Sequence, residues 1–317
     1  MRTPPQNQHQ TELVLRSQEV SEDGSIKILW SLQDQQTIES VILPRSLKQR
    51  KNLDLWRNTG VVPAGERFTA CVSSQVGCAM ACDFCLTGKQ GFVRQLTAAE
   101  IVSQVEELSR MKKITNVVFM GMGEPLQNTA AVTEAIRVLM DPHRLKLSRR
   151  KIIVSTSGVI SEFDALAKTG VKLAISLNAT TDVLRSQLMP INKKYPIAEL
   201  IQAAKVYQKQ VRQPVMIEYI LLRGLNDSAQ DAARLVEIAD GWNCKVNLIP
   251  YNPFEETPYF RPEPEQVKQF QHALVSQGIT ATVRYSGGDD IYAACGQLKS
   301  LNAPLKKFRR GSLPPKE

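Results

Sequence analysis

An α/β fold built on a parallel sheet is what this 317-residue chain predicts, and three observations predict it. From Phe68 onward short apolar runs alternate with helical segments. Six such strand–helix units follow one another, and each crossover must return the chain in the same strand direction. The residues of unusual character all fall just after a strand, where chemistry is expected in open α/β sheets and in barrels alike. Six units allow an open sheet or a partial barrel, and the length allows one large domain with a small appendage.

Taken in order, the first sixty residues read as β-rich. TELVLRSQEV, SIKILWSL and IESVILP show strand-like alternation, and the turn SEDGS separates the first two. The polar, basic stretch from Arg45 to Gly65 reads as a linker or long loop. The regular region opens with FTACVSSQ and TAAEIVSQVEELSRM, then NVVFMGMGEP with TAAVTEAIRVLM, then KIIVSTSG with SEFDALAK. It continues as KLAISLN with TDVLRSQL, VMIEYILLRGLN with DSAQDAARLVEIAD, and KVNLIPYNPF with EPEQVKQFQHALVSQ; TATVRYSGG adds a last strand. Thr97 with Glu100 forms a capping box, and Ser161 or Asp164 is positioned to cap the third helix. The expected organisation is a β-rich N-terminal region and basic loop at 1–62, a catalytic domain at 63–300, and a basic, flexible tail at 301–317.

Composition narrows the class. A hydrophobic share of 43% supports a sizeable core. The N-terminus is polar with no apolar signal-peptide segment, and no run has the length a membrane helix requires, so a cytoplasmic protein is expected. In that reducing compartment clustered cysteines more often hold metal than pair as disulfides. Lys plus Arg exceed Asp plus Glu by 40 to 31, a net charge of +9. The excess is clumped at Arg45–Lys51, at Arg144–Lys151 and at Lys306–Arg310, which points toward a polyanion such as RNA.

Four of the six cysteines lie in one stretch, CVSSQVGCAMACDFC, from Cys71 to Cys85. Cys78, Cys82 and Cys85 have the spacing C-x3-C-x2-C directly after the first strand of the regular region. Three thiolates can hold three irons of a four-iron, four-sulfur cluster and leave the fourth iron open to a substrate. The alternative is structural zinc with Cys71 as fourth ligand, although a zinc ribbon more usually shows two C-x2-C knuckles.

With Phe84 before the last cysteine, this spacing resembles the signature of radical S-adenosylmethionine (SAM) enzymes, and GMGEP resembles the superfamily's contact to the SAM amino group. CVSSQVGCAMACDFC, FMGMGEPLQN and DIYAACGQL together resemble the RlmN/Cfr family of RNA adenosine methyltransferases. LSRRKIIVSTSG, ISLNA, MPINKKYPI and NLIPYNPF extend the similarity from about Cys71 to Leu298. The resemblance implies a partial (βα)6 TIM-like barrel of the radical SAM type and a [4Fe-4S] cluster on Cys78, Cys82 and Cys85. It places SAM contacts at Gly123, Glu124, Ser155, Ser176, Leu177, Asn178 and Asn252.

The same resemblance implies the chemistry. The C2 and C8 carbons of adenine are too electron-poor to attack a sulfonium methyl, so the family carries the methyl group on a protein thiol. By this analogy Cys295 takes a methyl from one SAM, and a second SAM yields the radical that activates it. After addition to the base, Glu39, in IESV, accepts the ring proton. Cys71 then attacks the Cys295 sulfur, releasing methyladenosine and leaving a transient Cys71–Cys295 disulfide. C2 is the expected position, with C8 as the near variant. A radical SAM enzyme with a non-RNA acceptor, and a zinc-stabilised RNA-binding protein without catalysis, are the further alternatives. The implied partners are rRNA or tRNA and an electron donor such as flavodoxin or ferredoxin.

The chain departs from the family pattern in four places. Asn178 stands where the pattern has histidine, and Gly287 where it has arginine. The segment from Glu39 to Cys71 is longer than usual. Only 38 residues precede Glu39, so a short member without the accessory N-terminal domain is expected. Cys244 matches nothing catalytic and reads as a buried strand thiol. His9, His143 and His272 form no ligand spacing.

Overall fold

Alternating apolar residues in the N-terminal runs resolve into three antiparallel strands, β1 (Val14–Val20), β2 (Ile26–Ser31) and β3 (Thr37–Pro44). The computed structural model describes residues 13–44, 67–255 and 257–300. The predicted linker with its basic group at 45–51, and the predicted tail at 301–317, lie outside them. β3 pairs antiparallel with β4 (Phe68–Cys71), Val41 opposite Cys71, so the N-terminal strands continue the main sheet.

After β4 the chain makes a small hairpin, β5 (Gln75–Gly77) with β6 (Phe92–Gln95), which encloses a short helix α1 (Leu86–Gln90). Helix α2 (Ala98–Met111) begins with the expected Thr97/Glu100 capping box. It buries Ile101, Val102, Val105 and Leu108, a one-face spacing in which each side chain contributes roughly 1.5–3 kcal/mol of transfer free energy. Then come β7 (Ile114–Phe119), α3 (Thr129–Met140), β8 (Ile152–Thr156), α4 (Phe163–Ala167) and β9 (Lys172–Ser176). They are followed by α5 (Asp182–Leu188), α6 (Ile197–Val211), β10 (Val215–Leu221), α7 (Ala229–Ala239), β11 (Cys244–Pro250), α8 (Pro264–Val275) and β12 (Ala281–Val283).

The sheet has ten strands in the order β1-β2-β3-β4-β7-β8-β9-β10-β11-β12. From β4 to β12 every neighbour is parallel, which is the predicted six-unit arrangement. Leu173 with Ile175, Ile217 with Tyr219, and Val246 with Leu248 each share one face of their strand and are buried there, while Ser155, Ser176 and Glu218 line the cavity.

Among the described residues β1 and β12 are the two edge strands of this sheet. The segment after β12 spans the gap: Ser21 Oγ donates to Asp290, Lys27 Nζ to the Ile291 carbonyl, and Thr37 and Ser300 share a hydroxyl bond of 3.0 Å. Among the described residues no helix is long and apolar enough to cross a membrane.

Two local expectations are corrected. Neither Ser161 nor Asp164 caps α4: a 3-10 turn occupies Ile160–Glu162, and Glu162 is the cap residue, without a side-chain bond. The 15-residue helix α6 was missing from the expected list, although Ile197, Leu200, Ile201, Ala204 and Tyr207 give it a plain helical stripe.

Candidate active site

The strand order brings the C-terminal ends of β4 and β7–β12 around one cavity that opens to solvent, the end of a parallel sheet where ligands bind. Its wall includes Cys78, Cys82 and Cys85, then Gly123 and Glu124, Ser155, Ser176 and Asn178, with Cys295 on the last side.

The cysteine loop is fixed from several directions. Cys78 N donates to the Gly91 carbonyl (2.7 Å) and Cys85 N to the Cys82 carbonyl (3.2 Å). Cys85 is the cap residue of α1, in extended conformation. Asp83, buried and lying between Cys82 and Cys85 in the chain, pairs with Lys89 and accepts from the Tyr259 hydroxyl (2.5 Å). Leu86 N donates to the Gly296 carbonyl (2.7 Å), which ties this loop to the segment carrying Cys295. Burial raises all three loop thiols above the usual range, so a bound cation is needed to hold them as thiolates at neutral pH.

GMGEP forms a tight turn after β7. Gly123 has φ +100°, and a Cβ there would stand 2.5 Å from Cβ of Gln75. Gln75 Oε1 accepts from Glu124 N (2.8 Å). The Glu124 carboxylate accepts from Leu126 N (3.0 Å), Ser157 N (2.7 Å) and Ser157 Oγ (2.8 Å). Burial raises its pKa, against those hydrogen bonds. Asn178 has φ +56°, a conformation that Asn tolerates better than most residues. Its amide accepts from Ile220 N (2.9 Å) and donates to the Met189 sulfur (3.3 Å).

A second, smaller cavity is lined by Cys71, Cys295, Arg284 and Gly287. Cys295 and Arg284 line both cavities; Cys71 lines only the smaller. Burial pushes the Cys71 thiol up to about 12, with nearby Cys295 adding and Arg284 opposing. Burial alone would depress the Arg284 guanidinium, but Cys295, Glu218 and Cys71 outweigh it and raise its pKa. All six cysteines are free thiols, so Cys71 and Cys295 are unbridged here.

Three expected site residues stand behind the walls rather than in them. Leu177 is fully buried, its N donating to the Glu218 carbonyl (3.0 Å). Asn252 donates to Ser286 Oγ (2.8 Å) and accepts from Arg261 (2.9 Å). Glu39 is buried on β3, its carboxylate accepting from Lys299 N (2.8 Å) with Lys27 Nζ at 4.0 Å. Burial pushes Glu39 up to about 7, against the pull of Lys299 and Lys27. Cys244 is half-buried at the start of β11, its Sγ donating to the Ala239 carbonyl (3.3 Å).

Sequence reading missed Ser157, Arg185, Glu218 and Arg284. Glu218 carries a specific message: Asn247 donates to its Oε2 (2.7 Å), while Oε1 is buried in the cavity wall with no partner. A buried acceptor of that kind wants a donor from a ligand. The donor set also fits a cluster. Among the described residues no three His, Cys, Asp or Glu side chains converge as around a single ion. Cys78, Cys82 and Cys85 line one cavity, and three thiolates are the donor set that an iron–sulfur cluster with one open iron takes.

The basic group at 144–151 lies in the loop that enters β8, at the end of the sheet opposite the site. Arg144 is paired there with Glu106.

Comparison with known proteins agrees with this geometry. The profile of the Radical SAM superfamily matches residues 72–236. A dual-specificity RNA methyltransferase RlmN of Nitratiruptor sp. is 46% identical over 288 residues, covering 89% of this chain and 79% of that protein. Its counterpart in Campylobacter fetus is 48% identical, covering 89% and 80%. The crystal structure of a radical SAM methyltransferase from Sphaerobacter thermophilus superposes with a TM-score of 0.81 at 42% identity, covering 91% of this chain and 81% of that one.

Proposed function

The chain belongs to the RlmN family of RNA methyltransferases within the radical SAM superfamily, and on that premise we propose that it methylates an adenosine of rRNA or tRNA at C2, with the methyl group carried on Cys295. The observation that carries this reading is the position of Cys295, in the wall shared by the two cavities. A methyl carrier must face SAM on one side and the thiol that releases it on the other.

Cys78, Cys82 and Cys85 are the residues to hold the cluster, which when bound supplies the electron for reductive cleavage of SAM. Gly123, Glu124, Ser155, Ser176 and Asn178 line the space for SAM; Leu177 and Asn252 support those walls from behind. Cys295 attacks the sulfonium methyl of one SAM as a thiolate, and a second SAM is spent removing a hydrogen from the resulting S-methyl group. After the carbon radical has joined the base, the adduct must lose one electron, which the oxidised cluster would take back, and Glu39 takes the ring proton. A carboxylate raised to about 7 is well matched to that work near neutral pH. Cys71 then attacks the Cys295 sulfur as a thiolate: the S–S bond forms, the C–S bond breaks with its electron pair passing to the departing carbon and base, and a proton completes the methyl group. An external reductant of the flavodoxin or ferredoxin class, in the cytoplasm, completes the scheme.

The test is an anaerobic reaction of reconstituted protein, SAM and reductant with rRNA and tRNA, read by nucleoside mass spectrometry. The expected product is 2-methyladenosine. Cys295→Ala should yield no methylated peptide and no product, and Cys71→Ala should accumulate an RNA–protein adduct on denaturing gels. An adduct-free Cys71→Ala variant that turns over normally would remove the two-thiol scheme, and 8-methyladenosine would move the site on the base.

A further inference from the structure

Arg185, on α5, has no exposed surface at all. Its guanidinium donates to the Leu177 carbonyl (3.0 Å), Asn192 Oδ1 (2.9 Å), the Ser157 carbonyl (2.8 Å) and the Ser176 carbonyl (3.0 Å). None of these four acceptors is a carboxylate. The nearest acid on this network, Asp182, is reached only through the Asn192 amide (2.9 Å). Neutral dipoles satisfy the donors, and Asp182 offsets the charge without a hydrogen bond and by less than Cys82 does; a buried charge with no directly bonded counter-ion is costly. Burial lowers the guanidinium only to about 10, so it stays charged at neutral pH.

Its location says what would compensate it. Ser157 and Ser176, whose carbonyls it holds, line the larger cavity together with Cys82. One turn further along α5, the Leu188 carbonyl accepts from Asp83 N (2.8 Å), the residue next to Cys82. The helix that carries Arg185 is therefore docked on the cysteine loop. A cluster held by three thiolates is net anionic, and each added electron makes it more so.

We propose that Arg185 is the buried counter-charge of the cluster site, a positioning residue that favours the reduced state of the cluster. This rests on the reading of Cys78, Cys82 and Cys85 as its ligands. The hydrogen bonds to Leu177, Ser157 and Ser176 fix the guanidinium behind the cavity wall, where it acts on the cluster through space. Reduction adds negative charge to the cluster, so a fixed positive charge raises the potential at which it accepts an electron.

The experiment is an EPR-monitored redox titration of the anaerobically reconstituted full chain. The expected result is a more negative midpoint for Arg185→Gln and a near-native one for Arg185→Lys, which keeps the charge. Asn192→Asp leaves Arg185 in place but gives it a carboxylate, and should also shift the midpoint negative; it decides the matter if Arg185→Gln fails to fold. Cluster-loaded Arg185→Gln or Asn192→Asp protein with the wild-type midpoint would overturn the proposal. Wild-type protein that takes up no four-iron cluster would instead overturn the reading on which it rests.

Discussion

Glu39 is where one residue's environment makes a prediction about pH. Its pKa rises from 4.5 to about 7 because burial outweighs the contacts to Lys299 and Lys27. A proton acceptor must be ionised, so turnover limited by Glu39 should fall as pH drops below about 7; a flat pH–rate profile from 6 to 8 would exclude it from the limiting step. The stability effect has the opposite sense. A carboxyl with a raised folded pKa favours the folded state below its unfolded pKa, and that contribution is lost as pH rises through the folded value. Glu39→Gln should therefore be inactive yet more stable than wild type at pH 8, by about 1–3 kcal/mol in urea denaturation. The thiols of this site were legible in the sequence, because clustered cysteines have few meanings and the strings around Cys71 and Cys295 match a known pattern. Arg185 and Glu218 were not. A lone arginine in a helical run reads as solvated surface, and nothing local reveals that α5 turns it inward.

At the level of elements, the turn after β7 makes the sharpest demand. At Gly123 a side chain would meet Gln75 Cβ at 2.5 Å and Cγ at 2.7 Å, with backbone at φ +100°. Gln75 also holds Glu124 N. Gly123→Ala should cost roughly 1–3 kcal/mol of stability and weaken SAM binding by more than tenfold, read by equilibrium dialysis. Unchanged affinity would mean that the turn does not shape the SAM site. Alternation and apolar runs were sufficient to find β1–β4 and β7–β12. The β5–β6 hairpin was too short for any periodicity to register. Helix α6 was overlooked for a different reason: α5 already filled the place of a crossover between β9 and β10, and the crossover contains both.

For the molecule as a whole, the direction of the parallel strands separates the site from the described basic group. Arg149 and Arg150 enter β8 at the far end of the sheet. Reversing both to Glu should change the rate of RNA methylation by less than about twofold at moderate ionic strength, since exposed charges beyond a Debye length are screened. A large loss would show that the RNA wraps around to that end. The six-unit succession was readable from local pattern. Two global features were not: the pairing of β3 with β4, and the return of the last segment onto β1–β3. Both depend on contacts between residues distant in sequence.

That returning segment makes the protein vulnerable in one particular way. Residues 288–300 carry Cys295, supply the carbonyl for Leu86 beside the cysteine loop, and reach Lys27, Thr37 and Glu39 across the open side of the sheet. A single protease cut within it would do more than disconnect the thiol. It would unlatch one wall of the chamber and admit oxygen to Cys78, Cys82 and Cys85, so on the proposed reading of these thiols loss of iron should accompany loss of methyl transfer.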